Sequence, residues 1–233
     1  SFFMNKNHTL IIGGTTSLSE PILESFINNN HAVTSTYHKT NPTSTSVNWI
    51  KLDCNSDVSI SDFNSKCKKL PPFTNLIFLT GVLPGKSIHE YSFEEINRVM
   101  NINFNSVTKI IGSLKDNFIS NSQILLMSSI SGQRGSFDPI YAASKAAIIG
   151  LGKSLSQVLS PRTRTNIIAP GLVEQSSMFN EMLPDRKKYH EQKNPLNKLL
   201  NKDALAEIIY ELTTEKWSHL NGAVIPVNGG AYV

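Results

Sequence analysis

Tyr141 and Lys145 stand four residues apart in Tyr141-Ala142-Ala143-Ser144-Lys145. On a helix that spacing puts both side chains on one face, about one turn apart. A phenol beside an ammonium can act as an acid near neutral pH. The positive charge favours phenolate and is expected to pull the tyrosine below its usual value of about 10. Such a group can pass a proton to a substrate oxygen or take one away. An isolated Y-x-x-x-K is more often a surface tyrosine next to a solvated lysine, so the surrounding elements decide its meaning.

Those elements alternate from end to end. Short apolar runs predict strands at 9–13, 31–37, 47–52, 76–80, 123–128, 164–169 and 222–227. Helical patterns are predicted at 17–29, 139–159 and 203–212, with one long or broken helix at 93–118. Strands alternating with helices imply parallel strands joined by right-handed crossovers, hence an α/β fold with an open, doubly wound, seven-stranded parallel sheet and helices on both faces. With no linker-like stretch and no repeat, residues 1–233 read as a single domain. Segment 172–201, polar and interrupted by Pro184 and Pro195, is long for a plain connection and reads as a lid over a substrate.

The 22 Lys and Arg against 18 Asp and Glu give a net charge of +4, too mild and too scattered for nucleic-acid binding; Lys66-Cys67-Lys68-Lys69 and Arg186-Lys187-Lys188 read as solvated faces. The apolar runs are too short to span a membrane. Cys54 and Cys67 lack metal or redox spacing, so no metal is expected, and a reducing cytoplasm is. Ser1-Phe2-Phe3 is too short for a signal peptide and reads as an appended remnant before a native start at Met4.

In a doubly wound sheet, ligands bind beyond the carboxyl ends of the strands, and the first strand-to-helix turn is the usual phosphate site. Here it is Gly13-Gly14-Thr15-Thr16-Ser17-Leu18-Ser19. Glycines let backbone approach a pyrophosphate, and the helix N-terminus beyond supplies free N–H groups. Ser17 reads equally well as a helix N-cap forming a capping box with Glu20. A carboxylate ending the second strand would hold a ribose 2′-OH, as for NAD. The chain has Thr36-Tyr37-His38-Lys39-Thr40 there, with no Asp or Glu between Glu24 and Asp53. Lys39, helped by His38, suits a 2′-phosphate, so NADP(H) is favoured over NAD(H).

With Y-x-x-x-K at the start of a long helix after the fifth strand, the chain resembles a short-chain dehydrogenase/reductase of the small, single-domain, Rossmann-like kind, over essentially its whole length. In Leu126-Met127-Ser128-Ser129-Ile130-Ser131-Gly132, Ser129 fits the family's catalytic serine, twelve residues before Tyr141, with Ser128 as the alternative. Asn103, in Asn101-Ile102-Asn103-Phe104-Asn105, falls on the family's asparagine position. Asp53-Cys54 resembles the pair at the adenine, with Cys54 also reading as a small buried residue, and Ala169-Pro170-Gly171-Leu172-Val173 resembles the loop beside the nicotinamide. Asn194-Pro195-Leu196 and the stretch from Asn221 to Gly230 resemble 3-oxoacyl-[acyl-carrier-protein] reductases.

Two departures stand out. Against the family's T-G-x-x-x-G-x-G turn, the threonine is Ile12, and the second and third glycines are Ser17 and Ser19. The family's N-N-A-G appears as Phe78-Leu79-Thr80-Gly81, without its asparagines. Both changes bear on cofactor affinity rather than on the chemistry.

The resemblance implies Tyr141 as general acid, with Lys145 tuning it and bonding the nicotinamide ribose. It implies that Ser129 polarises the substrate oxygen and that Asn103 positions a water leading from Lys145 to solvent. Gly13, Thr15, Thr16, Ser17, Leu18, His38, Lys39, Asp53, Cys54, Thr80, Gly81, Pro170, Gly171 and Val173 would hold the dinucleotide with Tyr141 and Lys145. The function expected is NADPH-dependent reduction of a ketone or 3-oxoacyl group, on a small-molecule or carrier-bound substrate. A sugar, polyol or secondary-metabolite dehydrogenase is the alternative, and a non-catalytic dinucleotide-binding protein a third reading, which the retained acid set disfavours. Residues 82–88, 133–140 and the lid, with Met178, Phe179, Met182 and Leu183 as a pocket wall, are where substrate choice is expected to lie. Ala-rich 142–149 suits close helix packing in a homo-oligomer, a tetramer or dimer.

Overall fold

The computed structural model describes residues 7–233, so the expected remnant Ser1-Phe2-Phe3 and the start at Met4 lie outside the described residues. The apolar runs form β1 (His8–Ile12), β2 (Ala32–Tyr37), β3 (Val47–Lys51), β4 (Phe73–Phe78), β5 (Phe118–Met127), β6 (Thr163–Pro170) and β7 (Val224–Val227). Among the described residues these make one sheet in the order β3-β2-β1-β4-β5-β6-β7, with every pairing parallel.

Period-two alternation divides the core. Leu10 and Ile12 of β1 join one apolar cluster and Ile11 the other; Leu76 and Phe78 of β4 oppose Ile77 in the same way. The first cluster is covered by Phe63 of α2 (Asp57–Cys67), Ile110 and Leu114 of α4 (Ser106–Leu114), and Ile148 of α6 (Pro139–Val158). The second is covered by Ile22 and Phe26 of α1 (Ser19–Asn28), and Leu205 and Ile209 of α9 (Lys202–Leu212). Burial on both faces explains why these strands read as continuous apolar runs.

The expected helix at 93–118 is broken, as α3 (Phe93–Met100) and α4 are joined by a π-helical turn, Asn101–Asn105. Helix α2 is missing from the sequence reading. Its inward residues Ile60, Phe63, Asn64 and Cys67 follow helical spacing, but only two of them carry a strong apolar signal. Segment 172–201 holds α7 (Ser177–Glu181) and α8 (Pro184–Lys193), closed at its base by a parallel bridge between Val173 and Leu200. No residue of α8 is buried. No helix among the described residues is long and apolar enough to cross a membrane.

The strand order reverses between β1 and β4. Ligands in such sheets settle beyond the carboxyl ends at that point, where the turn 13–19, Thr80-Gly81, Ser128-Ser129 and Pro170-Gly171 emerge.

Candidate active site

Strand β5 ends at Met127 and the chain turns into a short helix, α5 (Ile130–Arg134). Gly132 lets α5 press on α6: a Cβ there would lie 2.7 Å from the Lys145 carbonyl carbon and 2.7 Å from Ser128 Oγ. The Ser128 hydroxyl donates to the Lys145 carbonyl at 2.7 Å and is consumed in that packing. Ser129 caps α5 by accepting from the Ser131 N–H at 3.0 Å, and its hydroxyl is also a hydrogen-bonding neighbour of the Tyr141 phenol. Of the two serines, Ser129 is the one turned to the phenol.

Tyr141 and Lys145 lie in the first two turns of α6, which starts Asp138-Pro139 with Asp138 as N-cap and proline in the first turn. Both are buried, 8% and 5% exposed. Lys145 Nζ donates to the Met127 carbonyl at 3.0 Å and stands 5.9 Å from the centre of the Tyr141 ring. Burial pushes the ammonium down to about 8. It also raises the phenol; the Ser129 hydrogen bond opposes that rise and the Asp138 charge adds to it. The expected lowering of the tyrosine by its lysine is therefore corrected. Desolvation is the largest cause and favours the neutral phenol.

Asn103 sits in the π-helical turn, 2% exposed. Its Oδ1 accepts from the Val82 N–H at 2.8 Å, while Nδ2 donates to the Val82 carbonyl and to Ser144 Oγ, each at 3.0 Å. A Cβ on Gly81 would lie 3.3 Å from Lys145 Nζ and 3.6 Å from Asn103 Oδ1. The fold thus brings Asn103, Gly81 and Lys145 together; π-turns of this kind are frequent at functional sites.

Two residues that the sequence reading passed over belong to this end. Asp138 Oδ1 accepts from the Tyr141 N–H at 2.9 Å, and Oδ2 accepts from the N–H groups of Gly85 at 2.9 Å and Lys86 at 3.3 Å. The Tyr91 hydroxyl points at both carboxylate oxygens, 2.8 and 2.7 Å away. The Asp-Pro pair before a long helix was the available signal, since it marks an N-cap.

At the first turn, Gly13 adopts φ +96°, and a Cβ there would meet Thr80 Oγ1 at 2.6 Å and Thr80 N at 2.9 Å. A Cβ on Gly14 would strike Ser35 Oγ at 2.1 Å. Both glycines are required by packing alone. Ser19, 1% exposed, donates to the Gly13 carbonyl at 2.5 Å, accepts from the Thr16 N–H at 3.0 Å and bonds Thr16 Oγ1 at 2.6 Å. Ser17 is not the helix cap: α1 begins at Ser19, Leu18 stands in the cap position, and no side chain caps it. Ser17 Oγ instead accepts from the Ser177 N–H at 3.0 Å, tying the turn to the start of α7. Thr15, Thr16, Ser17 and Leu18 are half-buried, and Leu18 packs against the second core cluster.

His38 and Lys39 are exposed just beyond β2. His38 Nε2 lies 3.6 Å from Asp53 Oδ2, so the fold brings a carboxylate to a place where the sequence alone offered none. Asp53 Oδ1 accepts from the Asn55 N–H at 2.9 Å. Cys54 is buried, which pushes its thiol up to about 11 against the opposing hydrogen bonds of Ser106 and Thr80. Pro170 ends β6, Gly171 N–H donates to the Val227 carbonyl at 3.0 Å, and Val173 is buried. In the segment expected to form a pocket wall, Met178 is 38% and Leu183 72% exposed, while Lys187 Nζ stands 4.5 Å from the Phe179 ring centre. No group of three or more His, Cys, Asp or Glu among the described residues is arranged to hold a metal ion.

The glycines hold the turn flush against Thr80 and Ser35, and the two serine hydroxyls are engaged by protein partners.

Residues 26–232 match the protein family described as enoyl-(acyl carrier protein) reductase; the matched stretch begins after the altered turn. The chain is 30% identical over 162 residues to the 3-oxoacyl-[acyl-carrier-protein] reductase FabG of Buchnera aphidicola subsp. Baizongia pistaciae, covering 68% of this chain and 66% of that protein. That is just under two thirds of the relative's length. It is 28% identical to the acetoacetyl-CoA reductase of Allochromatium vinosum over 187 residues, 76% of each chain. Among solved structures, a short chain dehydrogenase family protein from Francisella tularensis superposes with a TM-score of 0.89 at 24% identity, over 97% of this chain and 98% of that one. A blue fluorescent protein from a metagenomic library, in complex with NADPH, superposes with a TM-score of 0.88 at 18% identity, over 99% of this chain and 100% of the other. At such identities the structural likeness speaks for the fold.

Proposed function

The chain belongs to the short-chain dehydrogenase/reductase family, and from that premise we propose that it is an NADPH-dependent reductase of a ketone or 3-oxoacyl group, with Tyr141 as general acid. It is an oxidoreductase by family; substrate, cofactor and residue roles are our reading. The observation that carries it is a buried phenol with the Ser129 hydroxyl beside it and a buried ammonium on the same helix face. A structural core has no use for two desolvated ionisable groups whose polar partners, Ser129 and the Met127 carbonyl, lie at one strand end.

Tyr141 donates its proton to the substrate oxygen as that oxygen gains charge. Ser129 hydrogen-bonds the same oxygen, stabilising the developing alkoxide. Lys145, held by the Met127 carbonyl, keeps a positive charge under the site below about pH 8 and lowers the cost of forming phenolate. Asn103 holds the adjoining backbone at Val82 and positions a water leading from Lys145 to solvent. Gly13, Thr15, Thr16, Ser17 and Leu18 would hold the pyrophosphate, Asp53 and Cys54 the adenine, and Thr80, Gly81, Pro170, Gly171 and Val173 the nicotinamide half. The bound dinucleotide supplies the hydride. Lys39, aided by His38, would pair with the 2′-phosphate; the Asp53 carboxylate beside His38 leaves Lys39 with most of that preference.

The 3-oxoacyl reading draws on the relatives named for acyl-carrier-protein and CoA thioesters. Arg186, Lys187 and Lys188 on α8 suit an acidic carrier. Outward Ala143, Ala146 and Gly150 on α6 suit close packing with a second copy, and the free, buried Cys54 and Cys67 suit a reducing cytoplasm. Fluorescence titration with NADPH and NADH, followed by turnover of acetoacetyl thioesters, tests the reading. Tighter binding of NADPH with thioester reduction is expected. Absence of binding by either dinucleotide at sub-millimolar concentration would refute it, and turnover of non-acyl ketones alone would remove the acyl part.

A further inference from the structure

An N-cap needs one acceptor for one N–H, yet the Asp138 side chain does far more. It accepts from Tyr141 N–H on its own helix, and from Gly85 N–H, Lys86 N–H and the Tyr91 hydroxyl, about fifty residues earlier in the chain. All of these groups donate, as suits a carboxylate, and the residue is only 2% exposed. Charge-assisted bonds of this kind are roughly twice as strong as neutral ones.

The partners form the segment 82–91 that follows β4, which is fastened on three sides. Asn103 grips both backbone groups of Val82. Asp138 holds Gly85, Lys86 and Tyr91. The Lys86 side chain pairs with Glu95, which also caps α3 with Ser92. Asn103 reaches on to Ser144, so two of the three anchors tie the segment to α6, within three residues of Tyr141 on either side. A serine, threonine or asparagine would cap α6 equally well but could not gather the segment in.

We propose that Asp138 is a positioning residue: its carboxylate, with Tyr91, clamps segment 82–91 to the start of the catalytic helix and so sets the substrate side of the site against Tyr141. The inference rests on the reductase reading, because the segment is taken to line the substrate. The same carboxylate adds to the burial that keeps the phenol protonated.

The test compares Asp138→Ser, which keeps the cap and is too short to reach the segment, with Tyr91→Phe, which leaves the cap untouched. Amide exchange at Gly85 and Lys86 should quicken about tenfold or more in Asp138→Ser, the equivalent of one lost bond to a charged group, while Val82 exchange stays unchanged. KM for acetoacetyl-CoA should rise by a similar factor with a smaller change in kcat, and NADPH affinity should hold. Tyr91→Phe should move KM and exchange in the same direction by less. Wild-type exchange and KM in both variants would reduce Asp138 to a helix cap and overturn the proposal. Equal losses of kcat and NADPH affinity with KM unmoved would also overturn it. If wild type turns over no thioester or ketone, the reductase reading falls, and the exchange arm still decides whether the clamp exists. If Asp138→Ser does not fold, Tyr91→Phe alone decides, with unchanged exchange and KM counting against the clamp.

Discussion

The two ends of the candidate site are built differently. Around Tyr141 the side chains of the proposed acid set are each fixed by a partner: Ser129 by the Ser131 N–H, Asn103 by Val82, Lys145 by the Met127 carbonyl. At the first turn two of the three glycines are gone. Hydroxyls have taken over there: Ser19 ties Gly13 to Thr16 from inside, and Ser17 reaches across to Ser177. Chemistry tolerates little change in residue type because it needs a phenol and an ammonium. A phosphate turn needs a backbone path, and small polar side chains can hold that path by other bonds. Only Gly13 and Gly14, where a Cβ would meet protein at 2.6 and 2.1 Å, have no such substitute.

That contrast can be broken by experiment. Lys145→Met should lower kcat for thioester reduction by about 10²–10³-fold, in the range of acid–base effects, with thermal stability held because a desolvated charge is removed. In the wild type, kcat/KM for reduction should fall as pH rises through about 8, since burial lowers Lys145 to that value and it loses its charge above it. A flat profile to pH 9.5 would remove the lysine from the mechanism.

Next in size is a linkage at the opposite end of β1. His8 is lowered to about 4, chiefly by burial, and bonds the Pro71 carbonyl and Thr34 Oγ1. The unfolded chain therefore binds this proton first. Stability is full above about pH 6.5 and declines as pH falls through 6.5 toward 4, by about 3 kcal/mol at most. Urea unfolding at several pH values reads that slope, and His8→Gln should flatten it.

Gly13→Ala forces a side chain into φ +96° and onto Thr80, at a cost of about 2 kcal/mol, seen as a lower urea midpoint with weakened NADPH binding. Smallest is Ser17→Gly. It restores the family's residue and frees the Ser177 N–H, so stability should change by about 0.5 kcal/mol or less and NADPH should bind a few-fold more tightly. Weaker binding would mean that the Ser17 hydroxyl, and not only its backbone, serves the cofactor.

The fold was legible because both faces of the sheet are buried: alternate residues such as Leu10 and Ile11 feed separate clusters, and the apolar runs stand out. Helix α2 escaped because half of its inward residues are Asn64 and Cys67. The residues of the proposed acid set stand out as residue types at fixed spacing. Their electrostatics do not, because burial decides them, and so the expected lowering of Tyr141 became a rise. Ser17 misled for a related reason: its partner, Ser177, is 160 residues away. Asp138 was passed over despite the cap signal of its Asp-Pro pair, and Gly85, Lys86 and Tyr91 reach it only through the tertiary fold.

In the proposed reaction Tyr141 is the proton donor. NADPH fluorescence titration of wild type and Tyr141→Phe, followed by reduction of acetoacetyl-CoA by each, tests that most directly. The two proteins should bind NADPH with the same affinity, and only the wild type should turn over, by a margin of about 10³-fold or more. Turnover by Tyr141→Phe within tenfold of wild type would contradict the central claim.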